Sequence, residues 1–195
     1  IGSTTTTIQG DTGNYFMTNP AVGSTGPVRI WAFGDFGVAS NAQAQVRDAY
    51  RNYSGTTHTN VWLWLGDNAY NDGTDAEYQT KVFNMYPYQF KKFVVWPTSG
   101  NHDLHTANAA NQTGPYFDNF TMPKNGEAGG LASGTEAYYS FNYANIHFIC
   151  LESNDAAYRA TNGAMATWLT NDLNANTQRW TIVYFHHPPY SKGSH

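Results

Sequence analysis

Two rhythms of apolar residues alternate along this chain, short unbroken runs and helical spacings, and their order predicts the fold class. Val28 to Phe33, apolar apart from Arg29, predicts a strand that stops at Gly34-Asp35-Phe36-Gly37. Ala42, Val46, Ala49 and Tyr50 then recur at helical spacing, behind Ser40 or Asn41 as the N-cap. Val61 to Leu65, rich in β-branched and aromatic residues, reads as a strand buried on both faces that stops at Gly66-Asp67. Residues 28–65 therefore predict a compact βαβ unit. A second helix is expected from Thr74 to Met85, capped by Asp72 or Thr74. A third strand, Phe93 to Pro97, leads into Ser99-Gly100-Asn101-His102-Asp103. Residues 104–136 carry no periodicity and read as a long functional loop or lid. Ala137 to Tyr143 and Ile146 to Leu151 predict two strands around the turn at Ala144-Asn145. Met165, Trp168, Leu169 and Leu173 place an amphipathic helix over 164–174, and Trp180 to Phe185 is the last strand, ending at His186. Strands alternating with helices predict an α/β fold.

Composition narrows the class of partner. A chain of 195 residues fits one α/β domain with a sizeable core. Charged residues make up 12 %, well below the roughly 25 % of an average soluble domain. With a net charge of −4 there is no basic field for nucleic acid and no block of like charge. The apolar runs are far shorter than the roughly 20 residues of a membrane span. The single cysteine, Cys150, lies inside an apolar run and reads as a small buried hydrophobe rather than a reactive thiol. Low charge with abundant Ser, Thr, Asn, Gly and Tyr leans toward a secreted or extracytoplasmic protein. Asn-x-Ser/Thr triplets at Asn52, Asn111 and Asn119 fit that reading, although such triplets also arise by chance. Residues 1–27, with a polar Thr run and many Gly, Asn and Pro, read as a linker cut from a longer polypeptide.

The candidate chemistry sits at the strand ends. Four strands end in possible ligands: Asp35, Asp67 with Tyr70, Asn101 with His102, and His186. Each has a bland reading, as a turn-forming Asp, a half-buried Tyr, or a satisfied polar residue. Together they would collect at one edge of one sheet, where open α/β sheets place their ligands. Carboxylate, phenolate and amide oxygens suit hard cations, and imidazole suits Zn²⁺ or Fe²⁺. A carboxylate flanked on both sides can bridge two ions about 3.5–4 Å apart. Two ions need about seven donors, and five are counted here.

In chain order, Gly34-Asp35-Phe36-Gly37, Gly66-Asp67-Asn68-Ala69-Tyr70, Gly100-Asn101-His102-Asp103 and Val183-Tyr184-Phe185-His186 resemble four of the five blocks of the purple acid phosphatases, members of the calcineurin-like metallophosphoesterases. The resemblance covers residues 28–195. It implies a sandwich of mixed β-sheets flanked by helices, incomplete at the C-terminus, and a binuclear-metal acid phosphatase that hydrolyses phosphate monoesters by in-line attack of a hydroxide held by the metals. Asp35 and Tyr70 would hold Fe³⁺, Asp67 would bridge, and Asn101 and His186 would hold a divalent metal (Fe²⁺, Zn²⁺ or Mn²⁺). His102 and His195 would face the substrate, with Asp103 orienting His102. The fifth block, Gly-His-x-His, does not occur, so the chain is expected to be a fragment cut at both ends. Residues 1–27 would then be a linker or the closing hairpin of a preceding fibronectin-III-like domain.

Three further histidines take bland readings, while His105, on the 104–136 loop, is a candidate for lining the substrate mouth. His58 is in a polar loop, His147 points outward by strand alternation, and His187 is a neighbour of the ligand. Two rivals stand beside the phosphatase reading: a phosphodiesterase or nucleotide hydrolase on the same site, and a metal-stabilised, non-enzymatic surface module.

Overall fold

The computed structural model describes residues 13–193; the first twelve residues of the expected linker or hairpin, and His195, lie outside it. Residues 14–27 run without helix or strand and are tied to the domain where Gly23 N donates to Ala144 O at 2.8 Å. Among the described residues six strands form two three-stranded sheets. In the first, β1 (Ile30–Phe33), β2 (Val61–Leu65) and β3 (Val95–Thr98) lie side by side and all parallel. In the second, β4 (Tyr139–Tyr143) is antiparallel to β5 (Ile146–Cys150), and β6 (Trp180–Tyr184) is parallel to β5.

The sheets stack face to face because strand alternation sends different rings to each side. On β2, Trp62 and Trp64 turn toward a helical layer, where Tyr86, Phe90 and Phe120 meet them at ring distances of 5.5–5.8 Å. Leu63 turns the other way, beside its register partner Trp96, whose ring stacks on Phe141 of the second sheet at 3.7 Å. Between the sheets, Tyr116 and Tyr139 hydroxyls both donate to the Pro97 carbonyl, at 3.1 and 2.7 Å. The core is thus cross-linked by phenols as well as filled by rings.

Helices cover both outer faces. α1 (Asn41–Ser54) is capped by Ser40, whose hydroxyl accepts from Gln43 N at 3.2 Å, and its Tyr50 stacks on Trp31 at 4.0 Å. α2 (Asp75–Glu77) is one turn behind Thr74 and runs on as a π-helix, Tyr78–Phe83. α3 (Pro115–Asn119) lies inside the segment expected to be a loop. α4 (Ala164–Ala175) covers the second sheet through Trp168, packed on Tyr138 at 5.0 Å, and Asp172.

His147 does not point outward. It is 1 % exposed, with Nε2 at 2.7 Å from Asp172 Oδ2 and Nδ1 at 2.7 Å from Asn142 Oδ1. Alternation turned it toward α4, and a second helical layer covers a face that a half-solvated sheet would leave wet. No helix among the described residues is long and apolar enough to cross a membrane.

Candidate metal centre

Parallel pairing brings the carboxyl ends of β1, β2 and β3 to one edge, and with them Asp35, Asp67 and Asn101. His186 comes from the second sheet, two residues past β6. The donors are therefore gathered across the gap between two stacked sheets and not along one sheet edge. Both aspartates sit in left-handed backbone, Asp35 at φ 57° and Asp67 at φ 52°. Asp tolerates that region better than most residues, but the conformation still costs about 1 kcal/mol, which surrounding structure must offset. Asp35 N donates to Gly66 O at 3.0 Å and fixes the first turn against the second.

Two neighbours must be glycine for the strand ends to meet. A Cβ on Gly66 would lie 2.6 Å from His186 Nδ1, and one on Gly100 would lie 2.2 Å from both Asp67 N and Asp67 Oδ1. Both gaps are well inside van der Waals contact.

Asp67 is the hub, 3 % exposed. Its Oδ1 accepts from His102 N at 2.9 Å, and its Oδ2 accepts from the Tyr70 hydroxyl at 2.9 Å. The same hydroxyl lies 3.1 Å from Asp35 Oδ1. His186 Nδ1 donates to Leu65 O at 2.8 Å, which leaves Nε2 as the free lone pair of the neutral ring. That Nε2 faces two oxygens, Asn101 Oδ1 at 3.3 Å and Asp67 Oδ2 at 3.4 Å. A lone pair aimed at two acceptors is repulsive unless a proton or a cation lies between them.

The titration of the site carries the same message. Burial works against ionising Asp67, yet hydrogen bonds from His186, the His102 amide and Tyr70 hold it down at about 2. Burial also works against protonating His186, but the Asp67 carboxylate and the Leu65 carbonyl lift it to about 8. Tyr70 is pushed above its ordinary range, first by burial and then by the carboxylates of Asp67 and Asp35. Protons are held where positive charge is wanted, and a bound cation inverts this order by displacing them. One donor atom each from Asp35, Asp67 and His186 lies within 4.8 Å of the others, a spread that ions can bridge. The residues present fit a metal pair. A cavity of about 340 Å³ opens over them, lined also by Tyr70, Asn101, His102, His187 and Pro188.

Asp103 corrects the expectation that it orients His102. It is fully buried, and its carboxylate accepts from Gly100 N at 2.8 Å, Asn68 N at 3.1 Å, Asn68 Nδ2 at 3.0 Å and the Tyr78 hydroxyl at 2.6 Å. Burial pushes it up to about 6 against those four donors, so it is ionised at neutral pH. It ties the β2 and β3 loops together beneath the site. The His102 ring is oriented instead by the Asn71 carbonyl, 2.5 Å from Nδ1, which leaves Nε2 toward the cavity, 3.9 Å from Asp67 Oδ2.

Sequence reasoning passed over Glu77. Its carboxylate accepts from Asn71 N at 2.5 Å and from Asp72 N and Thr74 N at 3.1 Å each, fixing the turn that follows Tyr70. The signal was present in Thr74-Asp75-Ala76-Glu77, a capping box in which Glu77 N also donates to Thr74 Oγ1 at 3.3 Å. Lys81 adds an ion pair to Glu77 at 3.1 Å and a contact to the Tyr70 carbonyl.

This fold, with donors at matching strand ends, defines a class: the chain belongs to the calcineurin-like phosphoesterases, whose family model matches residues 28–195. The family is one of metal-dependent phosphoesterases with binuclear metal centres. Among solved structures the chain is similar to GAP50, described as "the anchor in the inner membrane complex of Plasmodium", with a TM-score of 0.56 at 15 % identity. The match covers 85 % of this chain and 56 % of that one, so this chain spans little more than half of that neighbour's length. At that identity the likeness shows the fold alone. No match is found among curated proteins.

Proposed function

We propose that the protein is a binuclear-metal acid phosphatase of the purple acid phosphatase type, acting on small phosphate monoesters. The observation that carries this reading is the convergence of Asp35, Asp67, Tyr70, Asn101 and His186 on one cavity, with Asp67 at its centre. Asp35 and Tyr70 would hold a ferric ion, Asn101 and His186 a divalent ion (Fe²⁺, Zn²⁺ or Mn²⁺), and Asp67 would bridge them. When bound, such a pair supplies Lewis-acid polarisation of the phosphoryl group and acidifies water. The chain's own residues do the rest. The Leu65 carbonyl keeps His186 Nε2 available as a ligand, and Asn71 keeps the His102 Nε2 aimed at the cavity. From there His102 donates to a phosphoryl oxygen or hands its proton to the departing alkoxide. His195 would be a second substrate-facing histidine.

Tyr70 supplies the sharpest test. A phenolate bound to Fe³⁺ colours a protein violet by charge transfer, so Tyr70→Phe should abolish the colour of iron-loaded protein; colour that survives refutes the ligand assignment. An aryl phosphate assay should give an acidic optimum, with a phosphodiester turned over more slowly. The rival phosphodiesterase reading expects the reverse order.

A non-enzymatic reading is favoured by one observation, the anchoring role in the description of GAP50. Metal loading that raises the melting temperature, with no ester hydrolysed at any acidic pH, would establish it. The asparagines of all three Asn-x-Ser/Thr triplets are exposed, which supports placing the protein outside the cytoplasm.

A further inference from the structure

A second cavity, of about 480 Å³, adjoins the metal centre and shares His187 and Pro188 with it. It lies between the segment after β5 and the chain leaving β6. Its walls are largely apolar: Leu151, Met165, Phe185, Pro188 and Pro189. The polar groups on it are mostly spoken for. The Glu152 carboxylate is fully buried and accepts from Asn154 N at 2.6 Å and Asp155 N at 2.9 Å. Ser153 Oγ pairs with His187 Nδ1 at 3.0 Å, which sets the ring that partitions the two cavities. Arg159 is different. It lines the cavity and is exposed, and among the described residues its guanidinium makes no salt bridge, its charge acting only at longer range on the Glu152 carboxylate and the His187 ring.

We propose that this cavity holds the alcohol portion of the substrate, and that the preferred ester carries an apolar ring with an anionic substituent that Arg159 meets. The inference rests on the phosphatase reading for its placement of the phosphate over Asp67 and His186. A volume of about 480 Å³ is in the range of small-molecule sites, and one ring fills only part of it. Apolar walls reward a ring and give nothing to a polyol, whose hydroxyls would lose water without gaining partners. Phosphate esters of sugars or glycerol are therefore poor occupants. Arg159 offers a planar fork suited to a carboxylate or a second phosphate. Because it is exposed, its contribution is that of a solvent-screened pair.

The test uses three phosphonates that cannot be hydrolysed, bound to the full-length metal-loaded protein and read by calorimetry at low salt: methylphosphonate, benzylphosphonate and 4-carboxybenzylphosphonate. Benzylphosphonate should bind about tenfold or more tightly than methylphosphonate, from burial of the ring. The carboxylate should add about twofold to fivefold. That last increment should vanish in Arg159→Gln, return in part in Arg159→Lys, and shrink as salt is added. Equal affinity for the methyl and benzyl compounds, or no binding of any, overturns the proposal, as does a carboxylate increment that survives Arg159→Gln. The two readings fail separately. Phosphonates bound in the expected order with no ester hydrolysed would sink the phosphatase and leave the cavity as a binding site for an anionic ring beside a phosphoryl group. Hydrolysis without any preference for the ring would do the opposite.

Discussion

Asp67 shows how much a single residue can be asked to carry. Its backbone is left-handed, its side chain is buried, and its carboxylate is shared by Tyr70, His102 and His186. In the metal-free protein the Asp67–His186 pair makes stability depend on pH. Asp67 is lowered from 3.8 to about 2, so its contribution is present above about pH 4 and is lost as pH falls toward 2. His186 is raised from 6.5 to about 8, so its contribution is present below 6.5 and is lost as pH rises through 8. The pair, counted once, contributes about 2 kcal/mol. Urea midpoints of chelated protein should therefore peak between about pH 4 and 6.5 and fall between about 6.5 and 8, and a flat profile would contradict this. Asp103→Asn tests a different role. An amide nitrogen would face donors that now meet a carboxylate, at a cost of about 1–3 kcal/mol, measurable by urea unfolding. The pH–activity profile should keep its shape, whereas a residue that oriented His102 would move it.

At the scale of elements, helical spacing over 74–85 predicted a helix, and a helix is there, but after one α turn it widens to π over Tyr78–Phe83. The wider turn brings three side chains or carbonyls to fixed partners. Tyr78 reaches Asp103 at 2.6 Å, the Lys81 carbonyl accepts from Gln43 Nε2 at 2.8 Å, and the Lys81 ammonium reaches the Tyr70 carbonyl. Periodicity cannot announce such a bulge, because the residues look equally helical either way. The 104–136 stretch reads as a loop for a related reason. Its α3 is five residues long, too short for a period to register. Glu77→Gln tests the capping element. Burial opposes its ionisation, but the Thr74, Asp72 and Asn71 amides with Lys81 hold it at about 2, against an ordinary 4.5. Its stabilisation is present above pH 4.5 and fades as pH falls toward 2. The variant should lose about 1–3 kcal/mol at neutral pH. It should also weaken iron binding through the turn beyond Tyr70; a metal titration beside thermal melts checks both.

The whole molecule is four layers, helices on two stacked sheets on a helix, and the metal centre depends on that stacking. Without contacts such as Trp96 on Phe141, His186 would have no fixed position relative to Asp67. The outer layer is held by a buried hydrogen bond, His147 Nε2 to Asp172 Oδ2 at 2.7 Å, joined by Ser140 Oγ at 2.8 Å and Leu131 N at 2.7 Å. Asp172→Asn places an amide where the carboxylate accepts from Leu131 N and Ser140 Oγ and meets His147 Nε2, so it should cost about 1–3 kcal/mol and loosen α4. Hydrogen exchange should show α4 amides losing protection before those of β2, and uniform loss would contradict the layered account.

Donor types and their spacing were written in the chain. Gly-Asp after an apolar run, and His after another, are local patterns set by where a strand must end, and they mark the site in the sequence alone. Strand and helix order was legible for the same reason, since burial periodicity is a local property. Folding settled what depends on partners distant in sequence. It put His186 on a second sheet, turned His147 inward, and made Asp103 a tie between loops instead of a prop for His102. Each of those outcomes turns on which face a layer covers or which amides converge on a carboxylate, and only the packed chain specifies that.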